Sequence, residues 1–401
     1  MQRPSLWPLV VVLLLGILFL REPRFQRFEE SYLSWLARNS RPSGPQIPLT
    51  IVEIGSDSAT ARPAAAPPRP LEVALCMQGL LDFDPTVVAI APVLDWTARE
   101  KDQEQVFIDQ AMRIPKLILG SELTTTSDPD APVAEIPGFS QVTGRRGDIP
   151  EFSAIARQPN EDVRVISTLG FINLPREVTT EVRVPLLFQY RGEVIPSFAL
   201  QTALIWLHIP LDEVKVDIGN AIFLPNGSKI PIRSDGTLFI NPRIDRRAHR
   251  VRLNELLLAA QQHETGIRAT GFERIHEGLV LAEQSKSEDA SDIFAATIAT
   301  IQSGTFVRRV SWLFDCLVIV IVAAISGAVR QFSRIDLVLA AIGFTAAYGL
   351  IDFAILSRWS IWLPGFLPVG AAWILVIYSL VQPKTKNAPR TVAIAPPPPV
   401  P

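Results

Sequence analysis

Four apolar runs constrain this chain more than any other feature, because hydrocarbon admits only helices and closed barrels. Leu6–Leu20 (LWPLVVVLLLGILFL) lies near the start, and about Val310–Val329, about Leu337–Leu356 and Ile361–Val381 lie near the end. Each of the last three is near the ~20 residues that a helix needs to cross ~30 Å of lipid. The first is 15 residues long, a length compatible with either a secretory signal core or a short anchor. It is followed by REPRFQRF rather than a small-residue cleavage site, so an uncleaved anchor is expected. Trp312, Trp359, Trp362 and Tyr378 sit toward segment ends, where amphipathic rings favour the interface. The short connections QFSR and SRWS predict a tight three-helix bundle, with Ala323/Gly327 and Gly343/Ala347 as small-residue contact faces. Four transmembrane helices are thus expected, with the lipid bilayer as one partner.

The soluble remainder dictates the other boundaries. Residues 1–37 read as an anchor and juxtamembrane helix, 38–309 as an α/β domain, 310–382 as the membrane bundle, and 383–401 as a Pro-rich tail. In the central part Leu49–Ile54 (LTIVEI), Val87–Ile90 (VVAI) and Lys116–Leu119 (KLIL) are apolar runs of the buried-strand type. Helical patterns separate them: Leu71, Leu75, Leu80 and Phe83 in one stretch, Gln103–Met112 in the next. This β-α-β-α-β order predicts a mixed, mostly parallel sheet covered by helices. VRVISTLGFIN, EVRVPLLFQY and IPIRSDGTLFIN predict further, partly antiparallel strands, the last as a hairpin on the primed Asp-Gly turn. Helices are expected at Ser197–His208 and at Leu253–His263, where Leu253, Leu256, Leu257 and Ala260 form a core stripe. TARPAAAPPRP (60–70) is a stiff connection. Thr124–Asn160, with five prolines and no periodicity, predicts a long loop.

Chemistry is harder to find. The net charge of -2 gives no argument for nucleic acid. No GxGxxG, GK[ST], GxSxG or HExxH occurs. The histidines at 208, 249, 263 and 276 lack i,i+4 partners, so neither metal nor cofactor is expected. Cys76 and Cys316 read as packing residues, and Asp102 and Glu104 as a solvated helix start. RIDRRAHRVR (243–252) offers a phosphate or anionic-lipid patch, with a solvated surface strand the expected alternative. Asp352 lies inside an apolar run, either as a functional intramembrane carboxylate or as a water-reachable interface residue.

The order of these pieces resembles the type-2 CHASE domain family. The matching stretches are PLTIVEIG, DPTVVAIAPVLDW, KLILGSEL, LGFINL, VRVPLLFQYRGEVIPSFALQTA, IPIRSDGTLFINP and EGLVLAEQSKSEDASD, over about residues 47–382. The resemblance implies an extracellular sensor domain of a bacterial receptor, anchored in the inner membrane as a multi-pass protein with both termini in the cytoplasm. Lys and Arg near the segment ends balance six against six, so charge alone leaves the topology open. Family members tend to carry acidic residues where this chain has Gly55, Ala91 and Val178-Thr179, while Asp57, Asp95 and Glu181 stand nearby.

The resulting expectation is a sensor, not an enzyme, that binds an unidentified small molecule or protein. It signals through its helices to a separate effector, and a homodimer is one possible state. The alternative is an envelope scaffold with no ligand. FEESYLSWLARN places Phe28, Tyr32, Trp35 and Leu36 on one helical face suited to carrying motion. KTKNAPRTVAIAPPPPVP is expected to be a disordered tail or a docking peptide rather than an output domain. Ligand residues are expected at Arg145 and Arg146, the only adjacent cations of the 124–160 loop, with Asp57 and Asp95 on the same rim at the carboxyl ends of the strands. That loop is then a lid closing on an anionic ligand, or else a surface insertion.

Overall fold

The computed structural model describes residues 23–40, 46–55, 67–126, 136–266, 271–284, 292–311, most of 313–321, and 334–381. The expected Leu6–Leu20 span, Asp57, the Ala323/Gly327 face, most of the 60–70 connection and the 383–401 tail lie outside them. The chain divides into two compact units: Glu30–Arg309 with Phe353–Trp362, and Met1–Glu29 with Val310–Asp352 and Leu363–Pro401.

The larger unit is built on a seven-stranded sheet. Its order is His249–Arg252, Leu49–Ile54, Leu279–Gln284, Val87–Ile90 and Leu117–Thr124, which pairs last with Thr168–Phe171 and Ala154–Arg157. All these pairings are parallel except that of Ala154–Arg157. The mixed, mostly parallel α/β class is therefore observed. The position of Leu279–Gln284 departs from the simple β-α-β-α-β expectation, since it intervenes between the first two strands. Its alternation explains why: Leu279 and Leu281 enter one core while Val280 and Ala282 enter the other, and a strand buried on both faces belongs inside a parallel sheet.

Helices cover both faces. Pro70–Leu81, Lys101–Ala111 and Leu253–Glu264 pack over one core, while Phe198–Trp206 and Ile293–Ser303 pack over the other. Leu253, Leu256 and Ala260 are buried as expected. Of the expected stripe on the first helix, Leu80 and Phe83 are buried, but Leu71 and Leu75 are exposed, and Val73, Ala74, Cys76 and Met77 point inward in their place. The helix carries apolar residues nearly all round, so its periodicity could not choose a face. Burial pushes the Cys76 thiol up to about 12, in keeping with a packing role. Gly120 is required where strands converge, because a Cβ there would stand 2.1 Å from the Ala91 carbonyl oxygen.

The segment after Leu117–Thr124 is not a continuous loop in its described part. Its described part contains Gln141–Thr143, Glu151–Phe152 and Ala154–Arg157, each paired in a different sheet. Strands of two to four residues are too short to leave a period-2 signature. Part of VRVISTLGFIN is helical, at Glu161–Val165. Asp-Gly does make a turn, with Gly236 at φ 72° and its N–H donating to the Arg233 carbonyl at 3.0 Å. Its flanking strands do not form a hairpin: Lys229–Pro231 pairs with Ala221–Phe223, and Thr237–Phe239 pairs with Arg183–Pro185. Asp235 has no positive φ, so the primed turn that would fold the two strands together is not formed.

In the helix Pro23–Asn39 the inward face is Leu33, Leu36 and Ala37, while Trp35 is 60% exposed. The expected Phe28/Tyr32/Trp35/Leu36 face is thus split, because Phe28 is exposed and Tyr32 only partly buried.

The helix Arg334–Trp359 contains the one stretch among the described residues, Ile335–Trp359, that is long and apolar enough to cross a membrane. Ile361–Val381 is not one helix. Ile361–Trp362 forms a short strand with Arg308–Arg309, and the helix runs only from Phe366 to Val381, 16 residues, or about 24 Å at 1.5 Å per residue. Pro364 and Gly365 explain the late start. Trp362 is 2% exposed and packs on Phe239 rather than at an interface. Open space surrounds the position of a Gly343 Cβ, and Ala347 is exposed, so no close helix contact is seated there among the described residues.

Candidate functional site

In an open parallel sheet, ligands favour the crevice beyond the carboxyl ends of the strands. The side chains gathered there on one face are acidic. Glu53 and Glu283 end the strands Leu49–Ile54 and Leu279–Gln284 and are partners in register. Alternation places both on the face of Ile51 and Leu281, over which Ile293–Ser303 packs. Arg250, on the neighbouring edge strand, donates from Nη1 to Glu53 Oε1 at 3.2 Å and from Nη2 to Asp245 Oδ2 at 2.8 Å. The expected arginine patch thus supplies an internal ion pair here.

Asp292 completes the group. It precedes an apolar helix, the usual place for a cap, and its Oδ1 accepts from the N–H groups of Phe294 and Ala295, both at 3.1 Å. Burial, aided by the charge of Asp245, pushes its carboxyl up to about 6 against the opposing pull of those N–H groups and of Arg250. Asp292 Oδ2 and Glu283 Oε1 are buried and have no hydrogen-bond partner among the described residues. The residues themselves are 2% and 4% exposed. Among the described residues Arg250 is thus paired with Glu53 and Asp245 and acts on Asp292 through its charge.

Asp95, the expected rim residue, lies beyond Val87–Ile90 and is already paired. Arg157 Nε and Nη2 donate to its two oxygens at 2.9 and 3.0 Å, and Glu122 stands 3.5 Å from Arg157 Nη1. The hydrogen bonds of Arg157 to Asp95 outweigh desolvation and raise the Arg157 pKa. Arg145 and Arg146 are exposed beside the four-stranded sheet that includes Gln141–Thr143, and Arg146 donates to the Gly192 carbonyl at 2.8 Å. The structure therefore does not gather Arg145, Arg146 and Asp95 into one site. Glu104, expected to be solvated, is 5% exposed and accepts from Asn160 Nδ2 at 2.9 Å.

A second polar group holds Glu30–Asn39 against the domain. Arg183 Nη1 lies 3.3 Å from Glu30 Oε1 and 3.4 Å from Asp235 Oδ2, with all three side chains largely buried. Ser34 donates to Glu181 at 2.5 Å, and Arg38 Nε donates to it at 2.9 Å. Burial pushes the Glu181 carboxyl up, but these hydrogen bonds and the charge of Arg38 prevail and hold it below its ordinary value. Leu33, Leu36 and Ala37 close the apolar part of the seam with Val182, Phe239, Val307, Leu356 and Trp362.

In the other unit, Asp352 is fully buried, and its Oδ1 accepts from the Leu363 N–H at 3.1 Å. Nearby, Tyr348 Oη donates to the Pro364 carbonyl at 2.9 Å. Glu29 accepts from the N–H groups of Gly365 and Phe366 at 3.1 and 2.9 Å, capping the last helix where backbone donors lack helical partners. Asp352 thus ties down a chain reversal inside the protein.

The CHASE2 domain is the family that matches, over residues 9–286, which takes in the whole main sheet and four of the five carboxyl-edge residues. The chain belongs to the CHASE2 domain family. CHASE2 domains are extracellular sensory domains, and the α/β body described above is one of them. No curated protein and no solved structure matches the chain. Sequence reading passed over Glu53 and Glu283, although a Glu closing an apolar buried strand was a visible signal in LTIVEI and LVLAEQ. It also passed over Asp292, whose signal was an Asp directly before an apolar helical run. The grouping of Asp245 and Arg250 with them had no local signal.

Proposed function

We propose that this CHASE2 protein is a membrane-bound extracytoplasmic sensor. A ligand binds at the carboxyl edge of the main sheet, and the change leaves through the helix Pro23–Asn39 and the apolar helix Arg334–Trp359 to a separate cytoplasmic or membrane effector. The protein acts as a binding module rather than an enzyme, in the bacterial inner membrane, spanning it several times with the α/β domain outside. The observation that carries this reading is the joint between sensor and juxtamembrane helix, where Arg183 bridges Glu30 on the helix and Asp235 on the Asp-Gly turn. A buried ion pair gives directional, geometry-specific coupling that an apolar seam alone does not.

Topology reporters and co-purification test it. A reporter fused after Pro401 is expected in the cytoplasm, and one inserted between the exposed Asn226 and Gly227 outside it; both on one side overturns the topology. Full-length protein isolated from its own membranes is expected to bring an effector with it, in an amount changed by Arg183→Gln. Co-purified proteins unaffected by that substitution support an envelope scaffold instead.

A further inference from the structure

We infer that the carboxyl-edge group Glu53, Glu283 and Asp292 binds a cationic ligand of the alkyl-ammonium class. This rests on the sensor reading for its purpose, but not for its chemistry.

The charges are out of balance. Among the described residues Glu53, Asp245, Glu283 and Asp292 stand with Arg250, which is engaged at Nη1 by Glu53 and at Nη2 by Asp245, and with the exposed Arg252, in register with Glu53. Nothing among the described residues answers Glu283 Oε1 or Asp292 Oδ2. Buried carboxylates in folded proteins are ordinarily paired, because an uncompensated charge in a low-dielectric interior is costly. Two at one edge of a sheet, on the face where ligands enter such folds, are acceptors that a bound cation would satisfy. The edge is also reachable, with the side chains of Glu53 and Arg250 exposed by 24% and 37%.

The geometry favours an ammonium over a metal ion. A calcium or magnesium site needs several oxygens converging at about 2.0–2.6 Å, and among the described residues no three His, Cys, Asp or Glu side chains converge in that way. An ammonium group instead has three donors that can address separated acceptors. Asp292 adds a dependence on pH. Its carboxyl is pushed up to about 6, so it is charged at neutral pH and loses its charge, and its share of the attraction, as the medium acidifies. The charged groups acting on it are Arg250 and Asp245, with the Phe294 and Ala295 amides at its own helix end.

The test is titration of the full-length protein in phosphatidylcholine nanodiscs with spermidine, read by thermal stabilisation and calorimetry. Zwitterionic lipid keeps the probe off the bilayer. Saturable stabilisation is expected at neutral pH. Glu283→Gln is expected to weaken it by about tenfold or more, the scale of one lost hydrogen bond to a charged group. Glu53→Gln serves as the second variant should the buried substitution impair folding. Asp95→Asn, at the same edge but in a closed ion pair, should leave binding unchanged. Affinity is expected to fall below about pH 6. The inference is overturned by an absence of stabilisation at millimolar spermidine, by equal stabilisation with magnesium at matched ionic strength, or by undiminished binding in both Gln variants. Spermidine binding with no change in the mobility of a spin label at Trp35→Cys would leave this inference standing and count against the sensor reading instead.

Discussion

The carboxyl edge of the sheet and the seam around Arg183 use the same residue types to opposite ends. At the seam two carboxylates share one guanidinium among apolar neighbours, with Arg183 Nε lacking a hydrogen-bond partner among the described residues, and Glu181 gathers Ser34 and Arg38. At the edge Arg250 pairs with Glu53 and Asp245, while one buried oxygen each of Glu283 and Asp292 has no partner among the described residues. Ion-paired buried carboxylates make geometry specific, whereas unpaired ones store free energy that a cationic ligand can release. A sensor needs both, in one fold, at different places.

The largest effect should come from breaking the ion-paired group at the seam. Arg183→Met leaves Glu30 and Asp235 buried without their cation and should cost about 3–5 kcal/mol, read as a lower unfolding midpoint in detergent. The triple replacement with Glu30→Leu and Asp235→Asn should recover most of it. A small loss in the single variant would mean that the seam is not closed, and the contrast would fail.

Acidity should act in the opposite sense at the edge. The Asp292 carboxyl titrates near 6 in the folded chain, against an ordinary value of 3.8. Between those values the folded state holds a proton that the unfolded state has released, so this stabilising contribution is fully present below about pH 4 and lost as pH rises through about 6. Roughly 2–3 kcal/mol is at stake, at ~1.4 kcal/mol per unit. Asp292→Asn keeps the helix cap and should flatten the profile of Tm against pH over that window. An unchanged profile would show that the edge carboxylate is already compensated.

Smaller losses separate paired surface residues from either group. Asp95→Asn should cost about 0.5–1 kcal/mol through Arg157, the usual scale for a half-exposed ion pair. Arg146→Ala, which loses one exposed hydrogen bond to the Gly192 carbonyl, should change the midpoint by less than about 0.5 kcal/mol. A larger effect of Arg146→Ala on spermidine binding than of Glu283→Gln would move the site to the small sheet.

The candidate site was only partly legible. Asp95, expected as a ligand residue, is instead paired with Arg157. Arg145 and Arg146 drew notice as adjacent cations in a segment without periodicity, and that segment hid strands too short to show any. Glu53 and Glu283 lie 230 residues apart in sequence and become neighbours only because Leu279–Gln284 inserts beside Leu49–Ile54.

What the sequence by itself determined is local. The apolar β-branched runs became the strands Leu49–Ile54, Val87–Ile90 and Leu117–Thr124, and the helical stripe became Leu253–Glu264. Gly236 made its turn, and the ordered stretches from PLTIVEIG to EGLVLAEQ carried the family. Periodicity and turn chemistry act over a few residues, so these survived the fold. Tertiary structure alone decided strand order, which face of Pro70–Leu81 turned inward, that the Asp-Gly strands found other partners, and which carboxylates remained unpaired. Parallel pairing requires long crossovers, and the charge balance of a buried side chain depends on neighbours that only those crossovers bring together.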